Sequence, residues 1–269
     1  MKLSEYEQRW LTALEDHLIT PSTRFNIPPV LNYGGRQIHD AEAHGLENLT
    51  VAQILKYSSN IGAVEIGSKL GPRRFDAWVH RFGFGRRTRV DLPGEEQGIV
   101  RRWWQYSGSS MANLPFGQGE SVTPMQILGA YAAIANGGIL RTPQIVESVG
   151  SKRLREPRGH RVISPAVAHQ LRVMLRGVFA DGGTASGAAI PGYDMAGKTG
   201  TANIAVNGRY SNTKYVASFV GMVPVDHPQL LALVVVDQPH GGIFGGAVAA
   251  PAFQQIIGWA VPYFGVSPR

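Results

Sequence analysis

The chain has 269 residues, 43% hydrophobic and 17% charged, a composition that supports a sizeable core in one large domain or two small ones. It contains no cysteine, which excludes disulfides, thiol catalysis and cysteine-ligated metals and suits an oxidising compartment. The net charge of +7 favours anionic partners, but the densest basic run, Arg86, Arg87 and Arg89 in "FGFGRRTRV" followed by Arg101 and Arg102, has no aromatic-interleaved RNA motif or zinc-finger spacing beside it. That run reads as a solvated basic face, and nucleic acid is not an expected partner.

No stretch approaches the roughly 18 apolar residues of a membrane helix. "MKLSEYEQRW" carries charges where a signal peptide has its apolar core. The chain therefore reads as soluble, and as the possible soluble part of something longer.

In chain order, Trp10, Leu11, Leu14 and Leu18 recur at helical spacing and predict a first helix, ended by "ITPST". "RFNIPPVLNYGGRQIHDAEAHG" is rich in proline and glycine and reads as irregular chain with short strands. Thr50 is placed to cap a helix whose apolar face is Val51, Ile54 and Leu55. A polar knot, Ser58-Ser59-Asn60, interrupts before Ile61, Val64, Ile66 and Leu70 resume the pattern. Gly71-Pro72 predicts the end of that helix, and "PRRFDAWVHRFGFG" the start of another. Thr123-Pro124 and Gly137-Gly138 bracket a further helix, and Ser164-Pro165 open one more.

After about residue 190 the texture becomes β-branched and apolar. "YVASFVGMVP" and "QLLALVVVDQP" read as strands, and Asn207-Gly208 is a hairpin signal. "APAFQQIIGWAVPYF" reads as a closing helix. Hairpin links make the sheet antiparallel.

The stretch "MAGKTGTAN" sets Lys198 between glycines. Gly197 and Gly200 let another backbone approach, and Thr199 and Thr201 leave the same face of the strand. Such an edge can pair an extended peptide, with an ammonium and hydroxyls ready for a carboxylate. The knot at Ser58–Asn60 supports two readings, a capped helix–helix turn or a second wall of the same site.

Ser-x-Asn followed by Lys-Thr-Gly is the second and third signature of the penicillin-recognising enzymes. From about Leu11 onward the chain resembles the transpeptidase domain of class B penicillin-binding proteins, the septal peptidoglycan D,D-transpeptidase type. The resemblance is carried by "LTVAQILKYSSNIGAVEIG", "RFGFGRRTRVDLPGE", "GQGESVTPMQILGAYAAIANGG", "DGGTA", "MAGKTGTAN", "GRYSNTKYVASFVGMVPVDHPQLLALVVVDQP" and "GGAVAAPAFQQI".

The resemblance implies an α/β (α+β) fold of the serine β-lactamase/transpeptidase type, an antiparallel sheet flanked by helices. The expected organisation is one transpeptidase domain over 1–269, with a mostly helical region at about 48–185 and a sheet region at about 186–269 joined by the N-terminal helix. It implies acyl transfer at the penultimate D-alanine of a stem peptide, resolved by a neighbouring amine into a cross-link. Ser58 would relay protons, Asn60 would hold the acyl amide, and Lys198 with Thr199 and Thr201 would bind the terminal carboxylate. The Thr201 N–H, beyond Gly200, would donate to the oxyanion. Expected ligands are D-Ala-D-Ala stem peptides and β-lactams, with other cell-wall synthesis proteins as partners, at the extracytoplasmic face of a bacterial membrane. No metal or cofactor is expected; His39, His44, His80 and His240 are scattered.

One departure stands out. The family's nucleophile motif is Ser-x-x-Lys; the gapless register here falls on Leu3-Ser4-Glu5-Tyr6, and a slide of one residue gives Ser4-Glu5-Tyr6-Glu7, with glutamate in place of the lysine. Ser148-Val149-Gly150-Ser151 ends in serine, and Ser211-Asn212-Thr213-Lys214 lies in a hairpin after the lysine motif. The expectation is a domain truncated at its N-terminus and unable to acylate alone. Alternatives are a β-lactamase or D,D-carboxypeptidase on the same fold, or a non-catalytic cell-division or cell-wall binding module.

Overall fold

A computed structural model describes residues 13–206 and 209–269. The expected caps explain where the helices start. At α1 (Val51–Tyr57) the Thr50 hydroxyl accepts from Gln53 N at 3.2 Å while Gln53 Oε1 accepts from Thr50 N at 2.9 Å, a reciprocal capping box. Thr123 and Gln126 repeat it at α3 (Pro124–Ala135), and Ser164 caps α4 (Pro165–Arg176) through Val167 N.

The two helices expected after the knot form one element, α2 (Asn60–Arg81), with a break inside it at Gly71. Gly71 has φ 71 and ψ 165, which a residue with a Cβ rarely adopts, and Pro72 cannot donate across the break. The expected boundary is therefore a kink, because both halves bury apolar residues, Ile61 to Leu70 before it and Phe75 to Val79 after it.

The first helix stops earlier than its spacing predicts. His17 takes φ 56, and the N–H groups of Leu18 and Ile19 both bond to the Ala13 carbonyl. That turn leaves Leu18 exposed and puts Ile19 in the core beside Leu14. Trp10 and Leu11 lie outside the described residues. Glu15 fastens this segment to the start of α4, accepting from Ser164 N at 3.0 Å and Ser164 Oγ at 2.9 Å.

Strands β1 (Arg24–Ile27) and β2 (Glu47–Thr50) pair antiparallel and deliver the chain to α1. Strands β3 (Ala196–Val206), β4 (Arg209–Val223) and β5 (Leu230–Asp237) form an antiparallel sheet in the order β5-β4-β3. Residues 207 and 208 lie outside the described residues, but Val206 pairs with Arg209 across the expected turn. Lys198 opposes Val220 and Thr201 opposes Ala217 on the edge strand.

The pleat of β4 divides the interior. Val220 and Met222 join the core of α1 to α4, while Phe219 and Val223 join a second core under α5 (Ala250–Tyr263). There the Phe253 and Phe219 rings lie 4.8 Å apart at 60°, with Phe179 against both. Arg172 on α4 is buried and donates to the carbonyls of Ile134, Val225 and Asp226, which joins α3 and the sheet to α4. Burial lowers its pKa, partly offset by the Asp226 charge.

Two carboxylates fix the loop after α2. Asp91 accepts from Val146 N and Ile145 N, both at 2.8 Å, and these bonds hold its pKa below the ordinary value. For Glu95, burial pushes the pKa up, but bonds from the Thr88 hydroxyl and N–H and from Arg89 N, with the Arg87 charge, outweigh it. A depressed carboxylate stabilises the fold above its unfolded pKa, and that contribution is lost as pH falls through the folded value. Exchange of the Ile145, Val146, Thr88 and Arg89 amides, corrected for intrinsic rate, is expected to accelerate below roughly pH 4. Unchanged protection at pH 3 would contradict this role for the two side chains.

Candidate active site

The knot forms because two helices meet with nothing apolar between them. Ser58 ends α1 in the left-handed conformation, φ 60 and ψ 41, with its N–H and that of Ser59 returned to the last turn. Ser59 then caps α2, its hydroxyl accepting from Gly62 N at 2.9 Å. The reversal turns the Ser58 hydroxyl toward the sheet edge, where it accepts from Lys198 Nζ at 2.6 Å. Both readings of the knot therefore hold together: Ser58 ends a helix and also meets the lysine.

Lys198 is buried, and its ammonium also donates to the Thr199 carbonyl at 3.0 Å. A buried cation is tolerable only with such partners. Asn60 sits in the first turn of α2, and its Nδ2 donates to the His39 carbonyl at 2.9 Å. Thr199 Oγ1 donates to Thr184 Oγ1 at 3.0 Å, and Thr201 Oγ1 accepts from Gly245 N at 3.1 Å. Gly200 carries no side chain at the centre of the strand edge; its carbonyl accepts from Ser218 Oγ at 3.4 Å. A buried ammonium, a hydroxyl at its tip and a row of hydroxyls along a strand edge can hold a carboxylate and pass a proton across a short distance.

Residues 10–258 match the penicillin binding protein transpeptidase domain family. The chain belongs to that family. Penicillin-binding protein PbpB of Mycobacterium tuberculosis is 38% identical over 263 residues, covering 92% of this chain and 39% of the relative. Stage V sporulation protein D of Bacillus subtilis is 39% identical over 234 residues, 84% of this chain and 36% of that protein. The chain thus spans about two fifths of the length of these curated relatives. Among solved structures, penicillin-binding protein 3 of M. tuberculosis in complex with ampicillin superposes with a TM-score of 0.92 at 35% identity, covering 99% of this chain and 63% of that one. The transpeptidase domain of penicillin-binding protein 3 from Burkholderia pseudomallei gives a TM-score of 0.89 at 35% identity, over 98% of this chain and 79% of that one. The serine β-lactamase/transpeptidase-like fold expected from the sequence is the fold observed.

Within this penicillin-binding transpeptidase domain, three positions were not singled out from the sequence. Asp40 organises the knot, accepting from Ser59 Oγ at 2.6 Å, Ile61 N at 3.0 Å and His44 Nε2 at 3.2 Å. Thr184 and Gly245 flank Thr199 and Thr201. Thr184 lies in "DGGTA" and Gly245 in "GGAVAAPAFQQI", stretches that carried the resemblance without a role attached. Ser211 of the remaining Ser-x-x-Lys accepts from the amides of Thr213 and Lys214 at a register shift of β4, away from the knot. Ser4 lies outside the described residues.

Proposed function

We propose that the cleft beside Lys198 binds the D-Ala-D-Ala end of a peptidoglycan stem peptide, and the β-lactams that imitate it, as part of a D,D-transpeptidase site facing the outside of a bacterial membrane. The observation that carries this reading is the 2.6 Å contact from Lys198 Nζ to Ser58 Oγ, which links two motifs 140 residues apart. The peptide lies along the open edge of β3 at Gly200. Lys198, Thr199 and Thr201 hold its terminal carboxylate, Asn60 holds the acyl amide, and the Thr201 N–H faces the carbonyl oxygen as charge develops there. Ser58, whose hydroxyl accepts from the Lys198 ammonium, relays the proton that the leaving D-alanine takes up. In a complete site of this type a serine hydroxyl from a Ser-x-x-Lys motif would form an ester with the penultimate D-alanine and release the terminal one, and an amine of a second strand would then displace the serine to form the cross-link.

The sequence carries Ser-x-x-Lys only at Ser211–Lys214, away from the knot, which favours binding without acylation by this chain. Two measurements separate the levels. Amide shifts at Thr199–Thr201 are expected on titration with an N-acyl-D-Ala-D-Ala peptide, and are expected to be lost with its C-terminal amide and in Lys198→Met. Equal shifts with acid and amide would refute carboxylate recognition. Labelled penicillin is expected to leave no stoichiometric band on a denaturing gel; a band that disappears in Ser4→Ala would place the nucleophile at that serine.

A further inference from the structure

A cavity of about 630 Å³ shares no residue with the Ser58–Lys198 cleft. It opens between the end of α2, the loop after it, α3 and the two segments around Arg141 and Arg158. Six arginines line it: Arg81, Arg86, Arg87, Arg89, Arg141 and Arg158. Arg81 lies just before the run at 86–89, and folding adds two more guanidinium groups, Arg141 and Arg158, from distant segments. They are six of the chain's 26 lysines and arginines, gathered around one cavity. Arg102, which belongs to the same basic stretch of sequence, is drawn off to Asp76 at 3.2 Å.

Little nearby offsets this charge: Arg87 acts on Glu95 only at a distance, and Arg81 stacks on the Trp78 ring at 4.5 Å. Among the described residues, none of the six arginines has a carboxylate within 4.0 Å. Of the three acidic side chains of the loop, Asp91 and Glu95 are occupied by backbone amides, and Glu96 is exposed. The walls are also fixed. Buried Gln126 donates to the carbonyls of Arg86 at 2.7 Å and Gln97 at 2.9 Å, and Arg141 Nη1 is held by the Pro157 carbonyl at 3.1 Å. Arg89 is held at φ 63, an unfavourable conformation for a residue with a Cβ, by the bond from its N–H to Glu95. A merely solvated basic surface needs neither a cavity nor a strained, anchored arginine.

We propose that this cavity is a binding site for a ligand carrying two or more phosphate groups. Guanidinium forks match phosphate oxygens in pairs. One phosphate monoester carries roughly 1.5 to 2 negative charges at neutral pH, so a single one leaves most of the six cations uncompensated and a diphosphate or larger group does not. The volume lies within the roughly 300–1,000 Å³ of small-ligand sites. The same chemistry is offered by a soluble diphosphate and by a lipid headgroup.

The test titrates the chain with inorganic pyrophosphate by calorimetry at fixed salt and, separately, sediments it with vesicles containing cardiolipin, whose headgroup carries two phosphates. Pyrophosphate is expected to bind, and Arg86→Gln/Arg141→Gln is expected to bind at least tenfold more weakly with an unchanged melting temperature. Lys152→Gln/Arg155→Gln removes two exposed charges outside the cavity and is expected to bind as the parent does. Vesicle binding that pyrophosphate displaces assigns the ligand to a lipid headgroup; pyrophosphate binding without vesicle binding assigns it to a soluble diphosphate. No pyrophosphate binding, or equal weakening in both double variants, overturns the proposal.

Discussion

Asp40→Ala is expected to lower the unfolding free energy by about 3 kcal/mol, since hydrogen bonds to a charged group contribute roughly 1.5–3 kcal/mol each. The Asp40 side chain is 11% exposed, so solvent screens it little. It accepts from Ser59 Oγ, Ile61 N and His44 Nε2, and truncation leaves the first two without this acceptor at the start of α2. Thermal unfolding should fall by roughly 6–12 °C for a domain of this size. Asp40→Asn keeps one acceptor oxygen and should lose about half as much. Because Asp40 holds the turn that presents Ser58 and Asn60, the peptide-induced shifts at Thr199–Thr201 should weaken in both variants. A change below about 1 kcal/mol, the net value of one ordinary hydrogen bond, would mean that the knot is held by packing alone.

Gly245→Ala should have an effect of similar size for a different reason. A Cβ there would stand 2.2 Å from the Ser218 carbonyl oxygen and 2.6 Å from that of Gly200, both backbone atoms of the sheet. Overpacking of this kind costs roughly 1–3 kcal/mol, and the short helix at Gly245–Val248 must move away from β3. The bond from Gly245 N to Thr201 Oγ1 breaks with it. The total is about 3 kcal/mol, adding roughly 1 kcal/mol for the bond. Gly258→Ala is the control. Nothing lies within 4 Å of a Cβ at Gly258, inside α5, so helix propensity predicts a gain of up to about 1 kcal/mol. Equal melting temperatures for the two variants would show that the helix yields without cost.

Much of the site was legible because its chemistry is written in consecutive residues. Lys198 between glycines and the polar knot at Ser58 announce themselves locally, and caps at Thr50, Thr123 and Ser164 follow from side-chain bonds spanning three residues. Asp40 was not legible. It comes from the proline- and glycine-rich segment read as irregular, and it acts on residues 19 and 21 positions later. No periodicity records such a contact. The end of the first helix was misplaced for a related reason, since His17 takes a left-handed turn that its side chain does not advertise. The arginine cavity was half visible: the run at 86–89 could be read, but its partners at 141 and 158 arrive through tertiary packing.

Ser58 holds two offices with conflicting requirements. Its backbone sits where glycine is most at ease and where a serine is held at a cost, while its hydroxyl meets the lysine. Ser58→Gly should relieve the helix end but remove an acceptor from the buried Lys198 ammonium, two effects of opposite sign, and a β-branched replacement that keeps the hydroxyl should yield a less stable protein. The position is a local compromise in which the residue best for the helix end and the residue best for the cleft differ. The helix end by itself would favour glycine, so the serine answers to the lysine in the cleft.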